Sequence, residues 1–542
     1  MGRPAVLSLA EAREWFSTQV TLGGAFYTLD DEQLAAVIDL HKNTLVTARA
    51  GSGKTRVIVA KIVYLVAICG YDFDEIQVFM FNRTAATEVN ERVQAVQIGG
   101  IPLTEYNNGL KPSDRTPNSV AKVASTFHKF AYDLLRRGGL DFRLVNESLQ
   151  QALIKKSLDT VLGSSKPRAS LNRERYDELL KIIGSFIVRA GQKYPDGSPQ
   201  LDQAFTSAEQ LGFRSYQQYL DSLQPPNLDF NMLMNQAAKL LTSTPHEAVQ
   251  KLRYLIVDEY QDFSFLFWQL MTAIRHNAPT AHLFVVGDDW QMINRFAGSE
   301  VEYFMNFGKI FPEDCHKLPI STNYRSTQAV VETANRFMLS HYDAAALSAK
   351  AFSQQRGRVK WLNYARTRFN ARDILEDGRG DGRFVRALAE ATGLTIRKVP
   401  LEAARLLKTC YRLVKHHAHQ SIMLLHRHNF TSFLGVELER FYQALGRVCI
   451  DSCVLSQDQY HRQVRAMTMH KSKGLEAEVV LLLEFDRSLL LGHHPHAELF
   501  PHLGDSRASE KADQERLIYV ALTRVKERLY LLSKDKRSLL EL

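Results

Sequence analysis

Short runs of apolar residues alternate with amphipathic helical patterns towards both ends of the chain. A run in which consecutive positions are apolar, without alternation, is typical of a parallel strand buried on both faces. Such runs predict strands at Thr44–Thr47, Gln77–Phe81, Tyr254–Val257, His282–Val286, Ile422–Leu425, Val479–Leu483 and Leu529–Leu532. Because helical patterns separate the predicted strands, the chain is expected to form an α/β fold with ligands at the carboxyl ends of the strands.

The stretch from about Phe130 to Thr244 has a different pattern. It consists mostly of polar, amphipathic helical segments such as Tyr132–Arg137 and Glu174–Arg189. This pattern predicts a helical insertion in the α/β fold. A continuation of the α/β core is the alternative that the pattern leaves open.

Composition and charge narrow the class of protein. With 542 residues and 45% hydrophobic residues, the chain can bury several cores. Its formal net charge of +9 favours a polyanionic partner such as nucleic acid, although a basic surface can also serve solubility. The 5 cysteines form no C-x-x-C pair, and neither a signal peptide nor a membrane-spanning stretch is evident. We therefore expect a cytoplasmic protein with no membrane partner.

A phosphate-binding loop is predicted by the sequence TLVTARAGSGKT at Thr44–Thr55. A strand leads into a loop of small residues, and a helix then begins near Lys54. Glycines allow backbone N–H groups to approach phosphate oxygens, and the helix N-terminus favours an anion. The lysine would reach the β- and γ-phosphates, and the hydroxyl of Thr55 would bind Mg²⁺. The residues predicted to hold the nucleotide here are Gly51, Ser52, Gly53, Lys54 and Thr55.

A pair of carboxylates follows a second buried strand, in the sequence YLIVDEYQD at Tyr254–Asp262. Asp258 is placed to hold Mg²⁺ through water, and Glu259 is placed to accept a proton from an attacking water molecule. Such a base suits a hydrolase rather than a kinase. The two motifs together predict an enzyme that hydrolyses a nucleoside triphosphate.

Several further segments occur in a characteristic order along nearly the whole chain. They are LDDEQLAAV, FMFNRTAATEV, STFHKFA, DEYQD, VVGDDWQMINRFAGS, TNYRS, TMHKSKGLEAEVV and ERLIYVALTRVKERLYLL. In these motifs the chain resembles the UvrD/Rep/PcrA group of superfamily 1 DNA helicases, with a reduced second insertion.

The resemblance implies roles for residues around the nucleotide. Gln33 would bind adenine and Tyr324 would stack on it, while Gln291 would sense the γ-phosphate. Further matches are Arg56 beside the phosphate loop, Arg325 at the γ-phosphate, Gly474 and Glu476 between nucleotide and DNA, and Arg524 as an arginine finger. ATP bound between two α/β domains would draw both arginines towards Lys54 and Glu259.

The resemblance also implies contacts with DNA, including base stacking on aromatic side chains. The residues at the corresponding positions are Phe81, Arg83, Thr126, His128, Asn294, Phe296, Thr468 and His470. Three residues in the motif around Gln291 depart from the family pattern, namely Trp290, Asn294 and Ala297. With these departures, the loop is expected to bind the DNA strand less tightly than in the family.

The implied architecture is two RecA-like parallel-sheet domains with a helical insertion in the first. The predicted boundaries are 1–128 and 246–318 for the first domain, 129–245 for its insertion and 319–542 for the second domain, with a reduced insertion between about 340 and 420. The implied activity is an ATP- and Mg²⁺-dependent helicase or translocase on single-stranded or tailed duplex DNA, moving 3′ to 5′, in repair, recombination or phage defence.

Two other functions stay open at this point. One is a DNA-sensing ATPase or translocase that acts with a separate nuclease subunit and does not unwind alone. The other is a DNA-binding scaffold with an inactive ATP site, which the intact motif residues disfavour. The histidines at positions 416, 417 and 419, and at 493, 494, 496 and 502, lack ligand spacing typical of a metal site and are interpreted as solvated loops.

Overall fold

The computed structural model describes residues 6–106, 122–163, 172–197, 199–200, 205–223, 226–341, 347–370, 380–428, 435–486, 490 and 499–534. The histidines at 493, 494 and 496 lie outside these ranges.

The strands are named in chain order. They are β1 (Val20–Leu22), β2 (Ala25–Phe26), β3 (Asn43–Ala48), β4 (Ile76–Met80), β5 (Val96–Ile98), β6 (Ile101–Pro102), β7 (Ala124–Thr126), β8 (Arg143–Leu144), β9 (Asn227–Leu228), β10 (Tyr254–Val257), β11 (His282–Gly287), β12 (Cys315–Ile320), β13 (Thr322–Asn323), β14 (Lys350–Ala351), β15 (Arg358–Asn363), β16 (Ile422–His426), β17 (Val464–Thr468), β18 (Ala477–Leu482) and β19 (Val525–Ser533).

The α-helices are named in the same way. They are α1 (Leu9–Thr18), α2 (Asp31–Ile38), α3 (Lys54–Ala67), α4 (Arg83–Ala95), α5 (Phe127–Arg137), α6 (Glu147–Gly163), α7 (Arg173–Lys193), α8 (Ser207–Ser222), α9 (Phe230–Ser243), α10 (Glu247–Gln250), α11 (Phe265–Asn277), α12 (Val301–Met305), α13 (Phe307–Ile310), α14 (Gln328–Leu339), α15 (Gly382–Thr392), α16 (Leu401–His416), α17 (Leu438–Asp451), α18 (Gln457–Gln463) and α19 (Arg507–Leu522).

The first core is a parallel sheet of six strands in the order β12-β3-β11-β10-β4-β7. Its central strand β10 has the sequence Tyr-Leu-Ile-Val, and all four side chains are buried. Helix α3 covers this sheet and is buried along its whole length from Val57 to Ala67. Continuous apolar sequence therefore produces elements that are covered on every side, as expected for parallel sheets.

The second core is a parallel sheet of five strands in the order β15-β19-β18-β16-β17. Helices α15, α16 and α17 contact one another and share one hydrophobic core with this sheet. Buried apolar residues between Tyr364 and Val414 thus contribute to the core of the second sheet.

The insertion after α5 is helical, as predicted. Helices α6, α7 and α8 pack against one another. Helix α9 packs on α5 and α11, and these three helices share a hydrophobic core with the first sheet. The short parallel pair β8–β9 closes the insertion where it leaves and rejoins the core. The predicted fold class, two RecA-like parallel-sheet domains with a helical insertion in the first, is confirmed.

The chain divides into two compact units. Unit 1 comprises Met1–Ala48, Gly53–Ile320 and Pro495–Ser509, and unit 2 comprises Arg49–Ser52, Ser321–His494 and Glu510–Leu542. The predicted boundaries place residues 499–509 with the second domain, whereas in the structure these residues belong to unit 1. Among the described helices, none combines the length and the apolar character needed to cross a membrane.

In the two large parallel sheets, the described residues form four strands that the sequence did not predict, namely β7, β12, β15 and β17. Each of them lies at an edge of its parallel sheet. The seven predicted strands are confirmed; β10 has the predicted ends, and the ends of the others differ by at most four residues.

Candidate functional site

The predicted phosphate loop lies between the end of β3 and the start of α3. Gly51 and Gly53 have φ angles of 75° and 80°, which only glycine adopts without strain. A Cβ atom at Gly51 would lie 2.8 Å from the amide nitrogen of Asn323 and 2.9 Å from Cβ of Arg325. Glycine is therefore required here for close approach as well as for conformation. Ser52 is buried within the loop.

Lys54, the first residue of α3, reaches the acidic pair after β10. Its Nζ atom lies 3.3 Å from Oε2 of Glu259, and both side chains are largely buried. Burial works against the charged ammonium, yet Glu259, and to a lesser extent Asp288, outweighs it, so that the pKa of Lys54 is raised. The lysine is therefore charged and ready to bind a phosphate anion.

Glu259 has a constrained backbone. Its φ angle is 50°, in the left-handed region that a non-glycine residue rarely occupies. Its carboxylate accepts a hydrogen bond from the side-chain amide of Gln261. The Oε1 atom of Gln261 in turn accepts a hydrogen bond of 2.8 Å from the backbone N–H of Asp288. Strain at this position, maintained by side-chain contacts, is typical of functional sites.

Oxygen donors suited to Mg²⁺ lie in the same region of unit 1. Asp258 follows β10 directly, is nearly buried, and accepts a hydrogen bond of 2.9 Å from the N–H of Glu259. Thr55 lies in the first turn of α3, next to Lys54. A hydroxyl and a carboxylate are donors that Mg²⁺ prefers, so these residues fit the predicted ion.

Gln291 is held close to this group by Asp288. Its side-chain nitrogen donates a hydrogen bond of 2.7 Å to Oδ2 of Asp288, and both residues are buried. Since Asp288 is also bonded to Gln261, the loops after β10 and β11 share one hydrogen-bond network.

The predicted adenine residue and its neighbours lie at the start of the first core. Gln33 is 2% exposed and forms a capping box with Asp30 at the start of α2. Its Nε2 atom lies 3.2 Å from the position of a Cβ atom on Gly53, so it adjoins the phosphate loop. Arg56 donates to the carbonyl oxygen of Thr28 and its guanidinium lies 4.4 Å from the ring centre of Tyr27.

Unit 2 holds a second group of predicted nucleotide residues. Arg325 donates a hydrogen bond of 2.7 Å to Glu476, which also pairs with Lys526 at 2.6 Å. The exposed ring of Tyr324 lies 4.8 Å from the ring of Phe352, and its backbone N–H donates to the carbonyl oxygen of Gly51. Burial works against the charge of Glu476, but its two basic partners lower its pKa overall.

Arg524 is 2% exposed in unit 2, and its guanidinium donates to the carbonyl oxygens of Val520 and Leu475 and to the hydroxyl of Thr523. Gly474, in the loop before β18, has a φ angle of 84°. These contacts place Arg524 in a fixed orientation beside the loop that contains Gly474.

A groove in unit 1 brings together most of the predicted DNA residues of that unit. The cavity has a volume of about 650 Å³ and lies between the first sheet and the insertion. Its predicted lining residues are Phe81, Arg83, Thr126, His128 and Asn294. Lys129, Gln192, Phe230 and Asn231 also line it, and the sequence did not single them out. Phe230 begins α9 in the insertion, and its proximity is a tertiary contact without a local sequence signal.

The residues of the STFH segment make different kinds of contact at this groove. The side chain of Thr126 accepts a hydrogen bond of 3.1 Å from the N–H of Lys129 and caps α5. Phe127 is buried and stacks on Phe79 with ring centres 4.1 Å apart. His128 makes an edge contact of 5.1 Å with Phe230. Burial lowers the pKa of His128 to about 4, so this imidazole is neutral near pH 7.

The remaining DNA predictions lie elsewhere. Phe296 is 58% exposed and does not line the groove, although the neighbouring Ala297 does. Thr468 and His470 lie in unit 2 at the end of β17, where the hydroxyl of Thr468 accepts a hydrogen bond of 3.3 Å from the N–H of Lys471. The DNA-contact roles of all these residues stay predictions.

Comparison with known proteins agrees with these features. The profile of the UvrD/REP helicase N-terminal domain matches residues 29–312, and that of the UvrD-like helicase C-terminal domain matches residues 390–536. The chain belongs to the UvrD/REP helicase family. The predicted resemblance is thereby confirmed.

Individual relatives of this helicase family are distant. The chain is 30% identical to a probable DNA helicase II homologue of Mycoplasma capricolum, over 57% of this chain and 41% of the relative. It is 29% identical to the ATP-dependent DNA helicase PcrA of Leuconostoc citreum, over 57% of this chain and 38% of the relative. It is 24% identical to DNA helicase IV of Escherichia coli, over 93% of this chain and 68% of the relative. The chain thus spans less than half the length of the first two relatives.

Proposed function

We propose that this chain is an ATP-dependent motor that moves along single-stranded DNA, in the 3′-to-5′ direction implied by the family. The observation that supports it most is the pairing of Lys54 with Glu259 at 3.3 Å, in the same network as Gln291. The groove in unit 1, with aromatic and basic side chains, suits a sequence-tolerant contact with a single strand.

The pairing of Lys54 with Glu259 gives the two residues linked roles. A γ-phosphate would compete with Glu259 for the lysine, because a phosphate is the stronger anionic partner. Released from the lysine, the Glu259 carboxylate would stay oriented by Gln261 and accept a proton from the attacking water. The base would then become available only when nucleotide is bound.

Thr55 and Asp258 would hold Mg²⁺ beside this carboxylate. The ion would neutralise charge on the β- and γ-phosphate oxygens. The family resemblance assigns Arg325 and Arg524 to the γ-phosphate, and within unit 2 Arg325 would exchange its bond with Glu476 for a phosphate oxygen. Loss of that attraction after phosphate release would convert hydrolysis into movement.

Steady-state ATP hydrolysis with and without single-stranded DNA tests this proposal. The wild type should be stimulated by DNA at least about tenfold, and Glu259→Gln should lower the turnover by about 100-fold or more, since general-base catalysis contributes 10²–10⁴-fold. ATP binding should survive in Glu259→Gln and weaken in Lys54→Ala. Hydrolysis that ignores DNA, or that persists in Glu259→Gln, would contradict the proposal.

We further propose that strand separation by this chain alone is weak. Buried apolar residues between Tyr364 and Val414 contribute to the core around the second sheet, which supports a reduced second insertion. Single-turnover unwinding of a 3′-tailed duplex should be slow, while translocation along single-stranded DNA is fast. Unwinding as efficient as that of a full-length family member would contradict this part. The alternative is that the chain acts with a separate nuclease subunit and does not unwind alone. Adding a candidate nuclease to the same assay tests it.

A further inference from the structure

Three metal-ligating side chains meet at the edge of the first sheet, away from the ATP site. Nδ1 of His41 lies 2.6 Å from Oδ1 of Asp39, and Nδ1 of His316 lies 2.7 Å from the same oxygen. The two imidazole rings lie 4.3 Å apart. The possible ligand atoms of all three residues lie within 4.8 Å of one another.

The fold fixes this cluster by strand register. Asp39 ends α2, His41 precedes β3, and β12 pairs with β3 so that His316 lies opposite Thr44. The hydroxyl of Thr44 donates a hydrogen bond to the second carboxylate oxygen of Asp39. The carboxylate of Asp39 is therefore buried and held in one orientation. It is shared by His41, which is 2 residues away in sequence, and by His316, which is 277 residues away.

The cluster lies at the opposite end of β3 from the phosphate loop. The strand runs from Asn43 to Ala48, and its six residues span about 20 Å at ~3.3 Å per residue. The cluster is therefore too distant to contact the phosphates of a nucleotide bound at Lys54.

We propose that Asp39, His41 and His316 form a binding site for a divalent cation of the zinc class. Two imidazole nitrogens with one carboxylate oxygen are a donor set that Zn²⁺ favours, whereas Mg²⁺ and Ca²⁺ favour oxygen alone. Ligand atoms around tetrahedral Zn²⁺ lie about 3.3 Å apart, given bonds of ~2.0–2.1 Å. The histidine side chains, which are 45% and 41% exposed, can rotate outwards by the roughly 0.6–0.7 Å that this geometry requires.

Asp314 lies at the rim of the site and adjoins the other ring nitrogen of His41. Oδ1 of Asp314 lies 3.9 Å from Nε2 of His41, and its other oxygen accepts a hydrogen bond of 3.1 Å from the backbone N–H of Lys42. Because Nδ1 of His41 faces Asp39, the Asp314 carboxylate would orient the ring through Nε2, and water would complete four-coordination. The bound ion ties the end of α2 to β12 and stabilises unit 1.

Titration of the chelator-treated full chain with Co²⁺ and Zn²⁺ tests the site. Wild type should bind one equivalent of Co²⁺ with visible d–d absorption, and Zn²⁺ should displace it and raise the melting temperature. His316→Gln keeps a side-chain donor for Asp39 but removes the imidazole ligand. It should weaken Zn²⁺ binding by at least about 100-fold, since loss of an outer-shell partner alone costs 10–100-fold.

Two further variants keep the test decisive. His41→Ala alters a half-exposed side chain and should also weaken binding, even if His316→Gln folds poorly. His276→Ala removes an exposed histidine of α11 and should leave binding unchanged. Absence of stoichiometric binding, or equal binding by wild type and both cluster variants, would show that the three residues form a hydrogen-bond network only.

Discussion

At the scale of single residues, the orientation of Glu259 depends on Gln261. This glutamine is fully buried and is bonded to both Glu259 and the N–H of Asp288. Gln261→Leu keeps the size of the side chain and removes both bonds. We expect turnover with saturating DNA to fall by about 100-fold, the effect of misplacing a reacting group by about 1 Å, with ATP affinity kept. Steady-state kinetics measures the turnover, and a nucleotide-binding assay measures the ATP affinity.

The same substitution on an exposed helix provides the control. Gln217→Leu on α8 removes only a bond to the neighbouring Asp221 and should leave turnover unchanged. Full activity in Gln261→Leu would mean that Lys54 and the backbone alone orient the base.

His128 is the residue whose protonation should affect stability. Its folded-state pKa is about 4, below the ordinary 6.5, because burial disfavours the cation. Between these values the unfolded chain binds a proton that the folded chain does not. Stability from this residue is therefore present above about pH 6.5 and declines as the pH falls towards 4. Urea midpoints of wild type should fall more steeply over this window than those of His128→Phe, whereas His276→Ala should retain the wild-type slope. Equal slopes in wild type and His128→Phe would show that the imidazole is not desolvated.

At the scale of elements, the sequence predicted the interior of both sheets and missed their edges. Strands β3, β4, β10 and β11, and then β16, β18 and β19, are continuous apolar runs because neighbours cover them on both sides. The edge strand β12 has the sequence Cys-His-Lys-Leu-Pro-Ile, whose proline is tolerated because one side of the strand makes no ladder bonds. An edge strand is only partly covered, so its sequence lacks the pattern that predicts a buried parallel strand.

The candidate site, too, could be predicted from the sequence only in part. The proximity of Lys54 to the acidic pair could be predicted, because both motifs follow predicted parallel strands and the ends of such strands converge. Contacts between distant segments could not: Phe230 approaches His128 only through packing of α9 on α5, and His316 approaches Asp39 only through strand register.

The insertion helix α9 should therefore contribute to DNA binding. Phe230 is 41% exposed and lines the groove next to His128. Because stacking of a base on an aromatic ring is worth ~1–3 kcal/mol, Phe230→Ala should weaken binding of a single-stranded oligonucleotide about tenfold. Met305→Ala, which removes another exposed apolar side chain of unit 1 outside the groove, should have no effect. Fluorescence anisotropy at fixed salt measures the affinity of each variant for the oligonucleotide. Equal affinities of wild type and Phe230→Ala would show that Phe230 does not contact DNA.

At the scale of the whole molecule, the segment 499–505 belongs by contacts to unit 1, although the chain before and after it belongs to unit 2. Phe500 is 4% exposed and packs against Phe186 of α7, with ring centres 4.8 Å apart. Arg189 donates a hydrogen bond of 2.7 Å to Asp505, and both side chains are nearly buried. Backbone N–H and imidazole of His502 contact the buried Glu209 of α8. The insertion is thus completed by a segment that is about 300 residues away in sequence.

This segment should determine how stable the insertion is. Phe500→Ala leaves a cavity against α7, for which a loss of about 3–5 kcal/mol is usual. Asp505→Asn leaves the Arg189 guanidinium buried without its anion, which costs a similar amount when one partner of a buried pair is removed. Both variants should lower the urea midpoint and increase proteolysis within α7 and α8, while Asp458→Asn on the exposed face of α18 should change neither. Unchanged protection of α7 and α8 in Phe500→Ala would mean that the insertion folds without the segment, and that its aromatic contact contributes packing but no support.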